Sequence, residues 1–298
     1  MRFRTHVLAM ALAAAVPAAA QQQQDFSQVE IKAEKVTEGV YMLTGRGGNI
    51  GLSVGKSGSF LVDDQYAPLT DKILAVVKSV SPEPVRFLVN THWHGDHTGG
   101  NENMGKAGVF IVAHENVRQR MSKEHFNAVF KSTTPPSPEG ALPVVTFGDG
   151  VTFHWNGDEI RVYHVPPAHT DGDSVVHFVK ADVVHMGDLF FNGGFPFIDT
   201  SSGGKVDGVI AAADRVLAAI SEKTRVIPGH GPLATKADLL AYRDVVKSVR
   251  DRVAKLKAEG KTRDAAIAAK PTAEFDAKWG QGFIKGDVLT GLVFDSLP

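Results

Sequence analysis

The sequence predicts an α/β fold in which two mixed β-sheets pack face to face, with helices on their outer faces. Short apolar strands open the chain, helices and strands then alternate, and a second run of strands precedes the last helices. A sheet or a helix has to bury its apolar face against another layer, and this order of elements suits a layered arrangement. The order alone leaves other α/β arrangements open.

The individual elements follow from apolar periodicity and from turn residues. Strands are predicted at residues 40–43, 50–54, 59–62, 85–89, 109–112, 151–155, 160–165, 175–179, 183–186 and 225–227. Helices are predicted at residues 69–80, about 115–130, 206–220 and 237–258. Residues 131–143 contain four prolines and a glycine, which indicates a loop. This loop is either a substrate-facing insertion or a plain surface loop.

The N-terminus has the pattern of a bacterial secretory signal peptide. Arg2 and Arg4 precede a short apolar run, and Ala18-Ala19-Ala20 offers a small-residue cleavage site. The run is shorter than the roughly 20 residues of a membrane span, which disfavours a membrane anchor. We therefore predict a signal peptide at residues 1–20 with cleavage after Ala20, a flexible mature start at residues 21–35, and a single domain at residues 36–298. The mature protein would be periplasmic or secreted, with no membrane span.

Composition limits the chemistry. The chain of 298 residues has a formal net charge of -1, which gives no general attraction to nucleic acid or to an anionic membrane. It contains no cysteine, so disulfides and thiolate ligands are excluded. Any metal site has to be built from His, Asp and Glu.

The densest group of such residues is the segment His92-Trp93-His94-Gly95-Asp96-His97, which follows the predicted strand at residues 85–89. Imidazole nitrogens and carboxylate oxygens are standard zinc ligands. A solvated loop rarely concentrates them in this way, so the segment indicates a metal site.

This segment resembles the HxHxDH signature of the metallo-β-lactamase superfamily. Further residues match that family's other motifs in the expected order along the chain: Asp63, His169, Asp188 and His230. The resemblance implies a four-layer αββα sandwich with a dinuclear metal site.

The resemblance also implies the ligands. One metal ion would be held by His92, His94 and His169, and the other by Asp96, His97 and His230. Asp188 would bridge the two ions. Two Zn²⁺ ions are the expected cofactors, although an all-N/O ligand set leaves Mn and Fe open. Asp63 is expected to orient a ligand from behind the site.

The predicted chemistry is hydrolysis by a metal-bound hydroxide, with Asp96 as both ligand and orienter of the nucleophile. His164 and His185 are further candidates for supporting the ligands from behind. Phe191, Phe195 and Phe197 follow Asp188 closely and are candidates for the wall of a substrate pocket.

The substrate is predicted to be a small cyclic amide or ester, and a weak β-lactamase activity is the first candidate. The Cys and the nearby Lys of many β-lactamases are missing at the fourth motif, and Lys205 lies further along as a substitute anchor for a carboxylate. The alternatives are a lactonase or another esterase or thioesterase, an iron-dependent redox member of the same fold, and a non-catalytic exported metal-binding accessory protein. The expected partner is a small molecule rather than nucleic acid, and the oligomeric state stays open.

Overall fold

Two β-sheets pack against each other in the centre of the fold, and helices cover their outer faces. The computed structural model describes residues 25–298, so the predicted signal peptide lies outside the described residues. The strands, in chain order, are β1 (Lys32–Thr37), β2 (Val40–Thr44), β3 (Ile50–Ser53), β4 (Ser59–Val62), β5 (Val85–Val89), β6 (Phe110–His114), β7 (His125–Asn127), β8 (Ser132–Thr134), β9 (Val145–Phe147), β10 (Gly150–Trp155), β11 (Asp158–His164), β12 (Ser174–Phe178), β13 (Val183–His185), β14 (Arg225–Ile227) and β15 (Ala234–Thr235). The helices are α1 (Thr70–Val80), α2 (Gly95–Thr98), α3 (Asn101–Lys106), α4 (Glu115–Met121), α5 (Val206–Ala219), α6 (Lys236–Ala258), α7 (Arg263–Ala268), α8 (Asp276–Trp279) and α9 (Gly286–Ser296).

Both sheets are mixed. The first has seven strands in the order β1-β2-β3-β4-β5-β6-β9, and the second has six in the order β10-β11-β12-β13-β14-β15. In the first sheet β4, β5, β6 and β9 run parallel, and in the second β13 and β14 do. The remaining pairs in both sheets are antiparallel. Strands β7 and β8 form a separate hairpin.

Alternate residues of the central strands belong to different apolar clusters, which shows how the layers stack. Phe60 and Val62 of β4 pack between the sheets with Val176 and Phe178 of β12. Leu61, which lies between Phe60 and Val62 in the sequence, packs on the outer side of the sheet in a cluster that contains residues of α1. The second sheet packs outward against α5, α6 and α9. Because both faces of these strands are buried, their sequences are continuous apolar runs. The predicted four-layer αββα sandwich is thus confirmed.

Two predictions about local structure are wrong. Residues 32–35 were expected to be flexible, but they pair with residues 41–44 as part of β1. This edge strand is largely exposed and rich in charge, so no apolar pattern marks it. The helix expected at residues 115–130 ends at Met121, and the β7–β8 hairpin follows.

Within residues 25–298, we find no helix that has both the length and the apolar character needed to cross a membrane.

Candidate metal centre

The candidate metal centre lies where parallel strands of both sheets end. Asp63 follows β4, His92 comes shortly after β5, Asp188 follows β13 and His230 follows β14. Strands β4 and β5 are parallel, as are β13 and β14, so the carboxyl ends within each pair lie at one edge of their sheet. The remaining imidazoles and Asp96 come from the turn at α2 and from the loop between β11 and β12.

The structure brings all seven predicted ligand side chains together in two groups. The ligand atoms of each group lie within 4.8 Å of one another; the groups are His92, His94, His169 and Asp188, and Asp96, His97 and His230. Histidine and aspartate in this arrangement are compatible with a divalent metal site.

Asp188 lies between the two groups and points one oxygen at each. Its Oδ2 atom is 3.5 Å from His169 Nε2 and 3.8 Å from His92 Nε2. Its Oδ1 atom is 3.1 Å from His97 Nε2 and 3.4 Å from His230 Nε2. A carboxylate placed in this way can serve two cations at once.

The hydrogen bonds behind the imidazoles determine which ring nitrogen faces the centre. Asp63 Oδ2 lies 2.7 Å from His97 Nδ1, and Asp199 Oδ2 lies 2.9 Å from His94 Nε2. The carbonyl oxygen of Phe197 lies 2.6 Å from His169 Nδ1. Because these oxygens accept, the ring nitrogens donate, and the opposite nitrogen of each ring keeps its lone pair. The nitrogens that keep a lone pair are therefore His97 Nε2, His94 Nδ1 and His169 Nε2, and the last two lie 2.9 Å apart.

His92 is oriented in a similar way, by a hydrogen bond to the hydroxyl of Thr91. The Thr91 hydroxyl donates to Asp63 Oδ2 at 2.7 Å, so its oxygen can accept from His92 Nδ1 at 3.1 Å. Asp63 therefore supports His97 directly and His92 through Thr91. His92 Nε2 is left buried, without a hydrogen-bond partner among the described residues.

Orphaned buried atoms of this kind indicate that the residues fit metal ions. Besides His92 Nε2, Asp188 Oδ1 is buried and lacks the geometry of a hydrogen bond to any described residue, despite its distance of 3.1 Å from His97 Nε2. Leaving such atoms unpaired is costly, whereas coordination of a cation would satisfy them.

The electrostatics favour positive charge at the centre. Burial lowers the pKa of His169 to about 4, which keeps this imidazole neutral. Burial alone would also lower the pKa of His230, but the charges of Asp188 and Asp96 outweigh it and raise the pKa to about 9. The carboxylates thus attract either protons on imidazoles or metal cations, and metal binding would release those protons.

Asp199 is a supporting residue that the sequence analysis missed. It is fully buried and accepts from His94 and from the Ser202 hydroxyl. Burial raises its pKa, but the hydrogen bond from His94 outweighs this and holds the pKa at about 2. Asp199 also accepts from the backbone N–H of Ser201, so its sequence context is that of an ordinary turn cap.

His185 and His164, the two histidines predicted to support the ligands, make contacts in different parts of the structure. His185 Nε2 lies 3.0 Å from the carbonyl of Asn49, whose side chain donates to the carbonyls of Pro228 and Gly231, on either side of His230. His164 bonds the carbonyl of Asp173 and stacks on His114. None of these described contacts of His164 reaches a ligand, so the structure does not support the role predicted for it.

A cavity of about 640 Å³ opens over the centre. The predicted wall residues Phe191, Phe195 and Phe197 line it, but Lys205 does not. The side chain of Lys205 is exposed, and the residue lies directly before the first residue of α5. The lining residues that the sequence analysis did not assign to a pocket include Tyr66, Trp93, Asn127, Phe130, Phe283 and Ile284. Part of the loop predicted at residues 131–143 also contributes, through Ser132 and Thr134.

The fold is an αββα sandwich, and its His/Asp cluster is compatible with a divalent metal site. The model of the metallo-beta-lactamase superfamily matches residues 43–238, and the chain belongs to this superfamily. Members of the superfamily are mostly hydrolases, so membership supports hydrolysis as the general class of reaction.

Curated relatives cover part of the chain. It is 28% identical over 202 residues to a probable metallo-hydrolase, YqgX, of Bacillus subtilis (strain 168), spanning 62% of this chain and 88% of the relative. It is 24% identical over 147 residues to a hydroxyacylglutathione hydrolase of Pelagibacter ubique (strain HTCC1062), spanning 49% of this chain and 52% of the relative.

Solved structures share the fold at low identity. A metallo-beta-lactamase from Pontibacter korlensis superposes with a TM-score of 0.60 at 22% identity, covering 73% of this chain and 99% of that one. The sec-alkylsulfatase Pisa1 from Pseudomonas sp. superposes with a TM-score of 0.68 at 17% identity, covering 89% of this chain and 50% of that one.

Proposed function

We propose that the protein is a periplasmic dinuclear zinc hydrolase that acts on small cyclic esters or amides. The observation that carries the proposal is the position of Asp188, whose two oxygens face two separate groups of imidazoles. A single tetrahedral ion could not use all seven ligand side chains. The proposed location rests on the signal-peptide pattern of residues 1–20.

The proposed mechanism follows from the candidate ligands. Two bound ions would supply an activated water and polarise the substrate oxygen. His92, His94 and His169 would hold one ion, and Asp96, His97 and His230 the other, with Asp188 shared. In the reaction, the water oxygen bonds to the carbonyl carbon, the ring C–O or C–N bond breaks, and the leaving oxygen or nitrogen takes up a proton.

Asp96 is the carboxylate best placed to orient the attacking water. Its Oδ2 lies 3.3 Å from His230 Nε2, its side chain is 25% exposed, and it lines the cavity. Asp188, in contrast, is 5% exposed and surrounded by imidazoles. Asp96 can therefore reach both the centre and a bound substrate.

The cavity favours a neutral ester or lactone over a β-lactam that carries a carboxylate. Seven of the described residues that line it are Phe, Tyr or Trp, and none is Lys or Arg. A carboxylate bound away from the metal ions would therefore meet no cationic side chain, and burying a charge without such a partner is costly. This observation moves the lactonase or esterase alternative ahead of the weak β-lactamase. The name of the hydroxyacylglutathione hydrolase relative supports the thioesterase alternative.

The test has two parts. Metal analysis of protein purified without added metal should find about two zinc ions per chain, and Asp188→Ala should lower that number. Zinc-loaded protein should then hydrolyse lactones faster than a chromogenic cephalosporin. Saturation at a single ion would refute the dinuclear site, iron as the native metal would favour the redox alternative, and inactivity on the whole panel would favour the accessory role.

A further inference from the structure

A continuous row of aromatic rings leads from the candidate metal centre to the protein surface. The Phe197 ring is stacked on His94 with 5.9 Å between centroids. Phe130 lies 5.1 Å from Phe197, and Phe283 lies 5.4 Å from Phe130. We call Phe197, Phe130 and Phe283 the aromatic row. All three residues line the cavity.

The row is exposed at its outer end, although its rings come from separate segments that the structure holds together. Phe130 is 44% exposed and Phe283 is 72% exposed. The β7–β8 hairpin that carries Phe130 is tied to the loop that carries Phe197. Asn127 donates to Asp199 at 3.4 Å, and the Ala128 N–H donates to Ser201 at 3.2 Å. Aromatic surface held in water beside a cavity indicates a binding site for an apolar ligand.

The cavity leaves room for such a ligand. Gly193 and Gly194 line it, and a β-carbon added at either position would meet no protein atom within 4 Å. Open cavity space beside a row of aromatic rings suits a narrow, flexible, apolar group.

We propose that the aromatic row binds a linear alkyl tail of the substrate, so that the enzyme prefers neutral lactones or esters with long tails. This inference rests on the proposed function, because it places the reacting carbonyl at the metal centre beside His94. The tail extends along Phe197 and Phe130 and reaches water at Phe283. The three rings of the aromatic row carry no charge, which suits a tail without a charged end group.

The experiment compares lactones that differ only in tail length: γ-valerolactone, γ-octalactone, γ-decalactone and γ-dodecalactone. With zinc-loaded protein, kcat/KM should rise by about twofold to fourfold for each added methylene until the tail passes Phe283. Phe130→Ala and Phe283→Ala should flatten this dependence. Phe126→Ala is the matched control, because Phe126 lies on the same hairpin, is 60% exposed and is not among the described residues that line the cavity. It should keep the wild-type dependence.

A second variant tests the space itself. The β-carbon of Gly194→Leu would meet no protein atom within 4 Å, so we expect the variant to fold, and its side chain should take up cavity space and remove the advantage of the long-tailed lactones. A Gly194→Leu protein that still prefers γ-dodecalactone over γ-valerolactone would contradict the proposed position of the tail.

Measuring the binding of hexanamide and octanamide by titration calorimetry tests this inference separately from the proposed function, because binding of these amides needs no turnover. The longer amide should bind more tightly, and Phe130→Ala should weaken its binding. This result would support the aromatic row as a binding site for an alkyl tail even if no lactone were hydrolysed. If neither the rate of hydrolysis nor the binding affinity depended on tail length, the proposed role of the aromatic row would be wrong. An equal loss in Phe126→Ala would overturn it as well.

Discussion

His94 depends on one carboxylate behind it. Asp199 is buried and ionised, and it accepts from His94 Nε2, which turns Nδ1 toward His169 and the metal centre. Carboxylates that orient a metal-binding imidazole are worth about 10–100-fold in metal affinity or activity. We expect Asp199→Asn to weaken zinc binding by about that factor, measured by competition with a chelating dye.

The control for this variant is His164→Ala. His164 is half-buried, but its stacking on His114 lies away from the ligands. Its removal should lower thermal stability and leave zinc affinity unchanged. An equal loss of affinity in both variants would mean that Asp199 acts through general packing.

Asp96 offers a second test at the level of one side chain. Asp96→Asn keeps the size of the side chain but removes the charge that faces His230 at 3.3 Å. Since the first group of ligands does not include Asp96, turnover should fall more than the affinity for the first zinc ion. Steady-state kinetics beside a two-site zinc titration measures both quantities, and wild-type turnover would remove Asp96 from the mechanism.

Two loops meet at the centre in a way that only glycine allows. The N–H of Gly229 donates to the Gly187 carbonyl at 2.8 Å, and the next residue of its loop is His230. A β-carbon at Gly229 would overlap Asp188 Oδ1 and the backbone of Gly187. Side chains as small as alanine would therefore push the bridging carboxylate away from its position.

We expect Gly229→Ala to bind fewer zinc ions per chain than the wild type, as measured by metal analysis after dialysis. Gly194→Ala is the matched control, because its β-carbon would meet nothing within 4 Å. It should keep the wild-type metal content. Full metal content in Gly229→Ala would show that the two loops can separate without losing the site.

Elements buried on both faces were the most predictable from the sequence. Strand β4 is buried at every residue and has the predicted bounds, because a continuous apolar run is most stable between two layers. The β7–β8 hairpin could not be predicted in this way. Its residues pack on Phe197 and Phe283, which are distant in sequence, so local periodicity carries no signal for them.

The same distinction applies to the site. The seven candidate ligands, which the structure brings together, could be predicted because their residue types are rare in such density and their motifs keep a fixed order. Asp199, Phe130 and Phe283 have common residue types in ordinary contexts. Their positions follow only from the way the loops pack around the centre.

At the level of the whole molecule, the candidate metal centre contains residues from both sheets. Candidate ligands follow β5 of the first sheet and β13 and β14 of the second, so bound ions would link both halves of the sandwich. A ligand that binds only the folded state stabilises it by about 2.7 kcal/mol when present at 100 times its Kd. Removal of zinc with a chelator should therefore lower Tm by roughly 5–10 °C in differential scanning calorimetry. Zinc added back should restore Tm, and an unchanged Tm would show that the ions do not hold the sheets together.

The charge of the cavity leads to the last prediction, which concerns substrate choice. The described residues that line the cavity contribute the carboxylates of Asp96 and Asp188 but no Lys or Arg. Arg46 precedes the lining residue Gly47, but its guanidinium lies over Phe26, 5.9 Å from the ring centroid. A hydrogen bond to a charged group contributes about 1.5–3 kcal/mol, which corresponds to roughly tenfold to a hundredfold in KM where KM reflects binding.

A β-lactam with a free carboxylate should lack that contribution here, so its KM should be no lower than the KM of its methyl ester. The measurement compares initial rates for the two compounds with the same zinc-loaded protein. Arg46→Ala is the control for a cation at the rim and should leave the ratio of the two KM values unchanged. A KM at least tenfold lower for the free acid would show that a cation reaches the bound substrate, and the preference for neutral lactones would then be wrong.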